Sequence, residues 1–135
     1  MDLITWSGMF SAGLKEQDNQ HKKLILIINQ LYNAMHSGKG AELEGKVLTE
    51  LINYTLFHFD YEDQLMTKHQ YSDTPAHRAE HSKFVQAIAD FKQKFDAGTA
   101  TVSIEILNFL RDWLTGHIMK TDRKLGQALC KLGAR

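Results

Sequence analysis

The chain has 135 residues, 43% of them hydrophobic and 24% charged, which is enough for one folded domain with a real core. Sixteen basic and sixteen acidic side chains cancel when the histidines are neutral, so there is no electrostatic basis for a nucleic-acid or anionic-membrane partner. No apolar run approaches the roughly 20 residues that span a bilayer. The start, Met1-Asp2-Leu3-Ile4-Thr5-Trp6, lacks the basic region of a secretory signal, and the single Cys130 cannot form an intrachain disulfide; the expected setting is reducing and cytoplasmic.

Residues 1–17 read as a non-helical arm whose Trp6, Met9, Phe10 and Leu14 supply apolar surface for packing. Asp18 is a candidate N-cap for a first helix over about 18–37, which ends before Gly38 and Gly40. Leu24, Ile28, Leu31 and Met35 form its apolar stripe, and His21 extends it. A second helix is expected over about 41–68, with Val47, Leu51, Thr55, His58, Glu62 and Leu65 facing inward. Tyr71-Ser72-Asp73 is a turn, after which Thr74 can cap a third helix beginning at Pro75, where a missing N–H costs nothing. That helix runs to about 97, with His77, His81, Phe84, Ile88 and Phe95 on its stripe. A fourth spans about 102–131 and carries Ile106, Leu110, Trp113, Leu114, His117, Thr121, Leu125 and Leu129. The connections are short, which predicts an all-α, antiparallel up-down four-helix bundle formed by the whole chain, 1–135, as one domain.

Each predicted helix carries ionisable groups on its apolar stripe. His58/Glu62 and His77/His81 are each four apart, which puts both members of a pair on one helix face. A buried carboxylate is costly unless it is paired or bound to metal. An antiparallel bundle can bring His21, His58, Glu62, His77, His81, His117 and Asp122 to one level, and facing helices build metal sites in this way. His117 and Asp122 are five apart, about 140° of rotation on a regular helix. The two therefore reach one centre only if the carboxylate arrives obliquely or the helix is locally irregular, as in a π-bulge; Gly116 adjoins the spot. Seven donors are too many for one tetrahedral zinc, and imidazoles argue against calcium or magnesium. They suit two transition-metal ions with Glu62 and Asp122 bridging, iron first, with manganese or a mixed pair fitting the same donors. His36 and His69 lie off the pattern and are read as a surface histidine and a helix-end or turn histidine. Cys130 is read as a small apolar packing residue.

The ordered set Asp18-Asn19-Gln20-His21, His58-Phe59-Asp60-Tyr61-Glu62, His77-Arg78-Ala79-Glu80-His81 and His117-Ile118-Met119-Lys120-Thr121-Asp122 resembles the hemerythrin family over nearly the whole chain. The resemblance implies a non-haem di-iron centre that binds dioxygen reversibly. It assigns His77, His81 and His117 to one iron and His21 and His58 to the other. Glu62 and Asp122 bridge them together with an oxo or hydroxo atom, and the second iron keeps an open position for dioxygen. It also implies that Leu24, Phe59, Trp113, Leu114, Ile118 and Leu125 line the dioxygen pocket, besides packing the core. Leu125 stands where some members have tyrosine, so no phenol assists from that position.

A carrier, store or delivery protein is the first functional expectation, because the residues beside the ligands are apolar and reversible binding needs water and stray protons kept away. A di-iron oxidase, or a peroxide- or nitric-oxide-handling enzyme, is the second. Ferritin-like di-iron oxidases surround their metals mostly with carboxylates, whereas five of the seven donors here are imidazoles. A dioxygen or redox sensor acting through a separate partner is the third.

Overall fold

In the computed structural model, which describes residues 2–134, the chain forms an antiparallel up-down bundle of four long helices, with no strand among the described residues. The helices are α1 (Lys15–Ser37), α2 (Ala41–Lys68), α3 (Thr74–Asp96) and a fourth made of α4 (Ile104–Gly116), a π-helical segment (His117–Asp122) and α5 (Arg123–Lys131). The backbone stays helical through both junctions of that fourth helix. Glycine at φ 69° follows the end of α1 at Gly38, the left-handed position that lets a helix stop. Ser103 caps α4 by accepting from the Ile106 N–H.

Several boundaries differ from expectation for identifiable reasons. α1 begins at Lys15, so Asp18 lies inside its first turn and is not its cap. The Asp18 carboxylate accepts instead from the Ala12 N–H at 2.8 Å and the Ser11 hydroxyl at 2.6 Å, which pins the arm to the helix. The arm itself contains a 3-10 turn, Gly8–Phe10, and is also held by Asn29, whose side chain bonds both the N–H and the C=O of Ile4. Thr74 is the first residue of α3, and its hydroxyl donates to the Tyr71 carbonyl. On α2 the buried face is Leu48, Leu51, Thr55, His58, Phe59, Glu62 and Met66; Val47 and Leu65 are only half-buried. His36 is exposed against Tyr32, and His69 is the C-cap of α2, its N–H bonded to the Leu65 carbonyl.

Two apolar clusters form the core. The larger joins Leu24, Ile28, Leu31, Leu48, Leu51, Phe84, Ile88, Leu107, Leu110, Leu114 and Ile118, among others. The smaller, at the other end of the bundle, joins Leu14, Met66, Leu125 and Leu129, with Cys130 half-buried against it. Gly126 allows this end to close: a Cβ there would lie 1.9 Å from the Ala12 carbonyl oxygen, so only hydrogen fits beneath the arm.

Candidate metal centre

Between the two clusters, α1 contributes His21, α2 His58 and Glu62, α3 His77 and His81, and the π-segment His117 and Asp122. All seven are buried. The five-residue separation of the last pair is accommodated by i→i+5 winding over His117–Asp122. The extra residue in the turn brings Asp122 back to the face that His117 occupies, so the carboxylate is delivered by a helix irregularity and not by an oblique side chain. Gly116 plays no special part in this. Its φ of −64° is ordinary, and a Cβ there would meet nothing within 4 Å.

The donor atoms fall into two overlapping groups, Glu62-His77-His81-His117-Asp122 and His21-His58-Glu62-Asp122, each with its atoms within 4.8 Å of one another. Every imidazole turns Nε2 toward the carboxylates. Glu62 Oε1 lies 2.9 Å from His77 and 3.1 Å from His81, while its Oε2 lies 3.1 Å from His58 and 3.5 Å from His21. Asp122 divides in the same way, with Oδ1 at 2.9 Å from His117 and 3.2 Å from His77, and Oδ2 at 2.9 Å from His21. Each carboxylate thus presents one oxygen to a three-histidine side and the other to a two-histidine side.

These atoms satisfy one another only in part: His77 Nε2 pairs with Glu62 Oε1 at 2.9 Å. His21 Nε2, His58 Nε2 and both Asp122 oxygens are buried without a hydrogen-bond partner, a costly state for polar atoms. The tautomers sharpen the point. His117 Nδ1 lies 2.9 Å from Glu80 Oε1, and His58 Nδ1 lies 2.7 Å from Gln20 Oε1. Both partners are acceptors, so Nδ1 carries a proton, and in the neutral ring Nε2 presents a lone pair. His81 and His117 then bring their Nε2 atoms to 3.1 Å. Lone pairs and carboxylate oxygens that converge in a buried space are what metal cations satisfy, and the donor set fits two of them.

The charges agree. Burial opposes an imidazolium at His21 and His77, but the carboxylates of Asp122 and Glu62 outweigh it and raise both pKa values to about 9. Burial also opposes ionisation of Glu62 and Asp122, yet the imidazoles, His58 foremost for Glu62 and His117 for Asp122, hold both below the usual carboxylate range. Burial lowers the pKa of His81. Two buried carboxylates thus demand compensating positive charge, which either imidazolium protons or cations supply.

Aromatic rings wall the site. Phe59 stacks on His81 with centroids 3.6 Å apart, and Trp113 stacks on His117 at 4.5 Å. Leu24, Phe59, Leu114 and Ile118 are buried in the larger cluster and Trp113 packs against it, whereas Leu125 belongs to the smaller cluster. Three polar neighbours escaped sequence reasoning as partners of the site: Gln17, which donates to Glu62 Oε2 at 2.9 Å, Gln20 and Glu80. Gln20 and Glu80 each directly precede a histidine of the set. A residue one step around the helix from a donor can reach a donor on the next helix, and that adjacency was the available signal.

The profile of the hemerythrin HHE cation binding domain matches residues 12–129. The chain is 40% identical over 130 residues to the bacteriohemerythrin of Methylococcus capsulatus, covering 96% of this chain and 98% of that protein. It is 33% identical over 122 residues to a bacteriohemerythrin of Pseudomonas aeruginosa, covering 90% and 78% respectively. A crystal structure of wild-type hemerythrin superposes with a TM-score of 0.89 at 39% identity, covering 93% of this chain and 96% of that one. With a bundle of that shape, a buried set of imidazoles and carboxylates at its centre, and relatives matched along most of their length, the chain belongs to the hemerythrin family.

Proposed function

We propose that this protein binds dioxygen reversibly at a non-haem di-iron centre, as a carrier, store or delivery protein. The observation that carries this reading is the division of Glu62 and Asp122, each with one oxygen toward a three-histidine group and one toward a two-histidine group. His77, His81 and His117 would hold one iron and His21 and His58 the other. Glu62 and Asp122 would bridge them, with an oxo or hydroxo atom as the third bridge. One histidine fewer on the second side would leave that iron a position for dioxygen. When bound, the iron pair would supply the two electrons that a dioxygen complex draws on and later returns.

The chain's own residues supply what reversibility needs. Leu24, Phe59, Trp113, Leu114, Ile118 and Leu125 offer no acid or base and would keep water from the pocket, so no proton is at hand to release a reduced product. Phe59 and Trp113 also fix the planes of His81 and His117 by stacking. An enzyme of the oxidase class would need a proton donor at this surface, and these six side chains provide none. No described helix is long and apolar enough to cross a membrane. With a lone, unpaired Cys130, a reducing cytoplasmic setting is the consistent one.

The deciding experiment is iron stoichiometry together with visible spectra of the reduced protein cycled between dioxygen and argon. Two irons per chain and a charge-transfer band that appears and reverses are expected. Irreversible conversion to a ferric form would favour the enzyme or sensor, and absence of bound iron would overturn the reading. Ile118→Glu should shorten the lifetime of the dioxygen complex; an unchanged lifetime removes Ile118 from the pocket.

A further inference from the structure

The two histidine groups are backed differently. On the three-histidine side, His117 Nδ1 faces a carboxylate, Glu80 Oε1, at 2.9 Å. The Thr121 hydroxyl, 2.8 Å from Glu80 Oε1 and 3.0 Å from Oε2, donates to that carboxylate and holds it in place. On the two-histidine side, His58 Nδ1 faces the neutral amide oxygen of Gln20 at 2.7 Å. His21 Nδ1 and His77 Nδ1 are buried without a partner among the described residues. Among the described residues, a carboxylate therefore accepts from the back of one group, through Glu80, and not of the other. Its side chain is 45% exposed while that of His117 is 2% exposed. It lines a cleft of about 200 Å³ shared with Lys120 and Lys124, and Lys124 is itself paired with Asp73.

A carboxylate that accepts an imidazole N–H draws the proton toward itself and leaves more electron density on the opposite nitrogen, making it a stronger donor to a bound metal. A neutral amide does this less. The added charge favours the higher oxidation state at whichever ion the imidazole holds. We propose that Glu80, locked by Thr121, is a positioning residue for His117 and makes the three-histidine subsite the more readily oxidised of the two. This rests on the di-iron reading above. It adds an electronic difference between the metal positions, created by the residues behind the histidines.

The test is spectroelectrochemistry of the iron-loaded wild type, Glu80→Gln, Gln20→Glu and Thr121→Val, with iron content measured on each. Glu80→Gln keeps an accepting oxygen and removes the charge. It should retain the helical circular dichroism and raise the midpoint potential in proportion to the lost preference for ferric iron, about 59 mV for each tenfold change in a one-electron couple. Gln20→Glu should shift the potential the opposite way, and Thr121→Val should shift it upward by less than Glu80→Gln. Coincident potentials in wild type and Glu80→Gln overturn the inference. If Glu80→Gln folds but loads iron poorly, cobalt(II) titration decides. Weakening of one of two sites, by about 10- to 100-fold for loss of such a partner, supports the inference, whereas no weakening, or equal weakening of both sites, overturns it. If Glu80→Gln does not fold, Gln20→Glu and Thr121→Val decide by the same potentials. A wild type that binds neither metal overturns the di-iron reading instead, so the two failures are distinguishable.

Discussion

About ten residues along the same helices, or roughly 15 Å, separate two cores of opposite character. Leu31, Leu48, Leu51, Ile88, Leu107 and Leu110 are apolar and fully or almost fully buried. The side chains of His21, His58, Glu62, His77, His81, His117 and Asp122 are buried too, but the atoms brought together are imidazole nitrogens and carboxylate oxygens, several of them without hydrogen-bond partners. The first core is complete from its own side chains, because apolar surface needs only to leave water. The second needs a charge from outside the chain, because desolvated polar atoms are costly until something binds them. The same helix periodicity that makes one region self-sufficient makes the other a cluster able to hold cations.

That contrast can be broken most severely at the polar core. His77→Ala removes a nitrogen that lies within 3.2 Å of both carboxylates. It should lower iron content below two per chain and abolish most of the stabilisation that iron gives over the iron-free protein, because metal affinity is linked to folding. Full iron content with unchanged stabilisation would take His77 out of the site. Leu107→Ala, at a fully buried position of the apolar core, should cost about 2–5 kcal/mol. The loss should be the same with and without iron, as urea unfolding would read; a loss that depended on iron would mean the two cores are not independent.

pH separates the regions more gradually. In the iron-free protein His21 and His77 keep their protons to about pH 9, whereas an unfolded histidine releases its proton near 6.5. Their contribution is then complete below about pH 6.5 and is lost as pH rises toward 9. The urea midpoint of iron-free protein should fall over that interval, and iron, which replaces the protons, should suppress the fall. A flat iron-free profile would show that the carboxylates are compensated otherwise. Gly126→Ala tests the arm, away from both chemistries. The new Cβ would collide with the Ala12 carbonyl, so a loss of about 1–3 kcal/mol is expected. No loss would mean that the arm is held by its Asp18 and Asn29 hydrogen bonds alone.

The helices and the donor set were legible because both follow from spacing. Apolar residues at three and four fix which face of each helix is inward, and His58/Glu62 and His77/His81 share that face on any regular helix. The less regular features were not so accessible. Asp18 satisfies the usual requirement for an N-cap, yet the arm's own N–H and hydroxyl groups compete for its carboxylate, and the helix begins earlier. Val47 and Leu48 are adjacent and both apolar, yet only the second is buried once α2 packs on its neighbours.

By itself the sequence determined the class of fold and the chemistry available at its centre, since hydrophobic periodicity and the identity of donor atoms are local properties of the chain. Tertiary structure decided between the alternatives the spacing left open and what stands behind the histidines. The π-turn, and not an oblique side chain, returns Asp122 to the face of His117, and the placing of Glu80 behind one group and Gln20 behind the other depends on the packing of different helices. Spacing along one helix says which atoms share a face. Which atom they meet across the core is set by the fit of whole helices to one another.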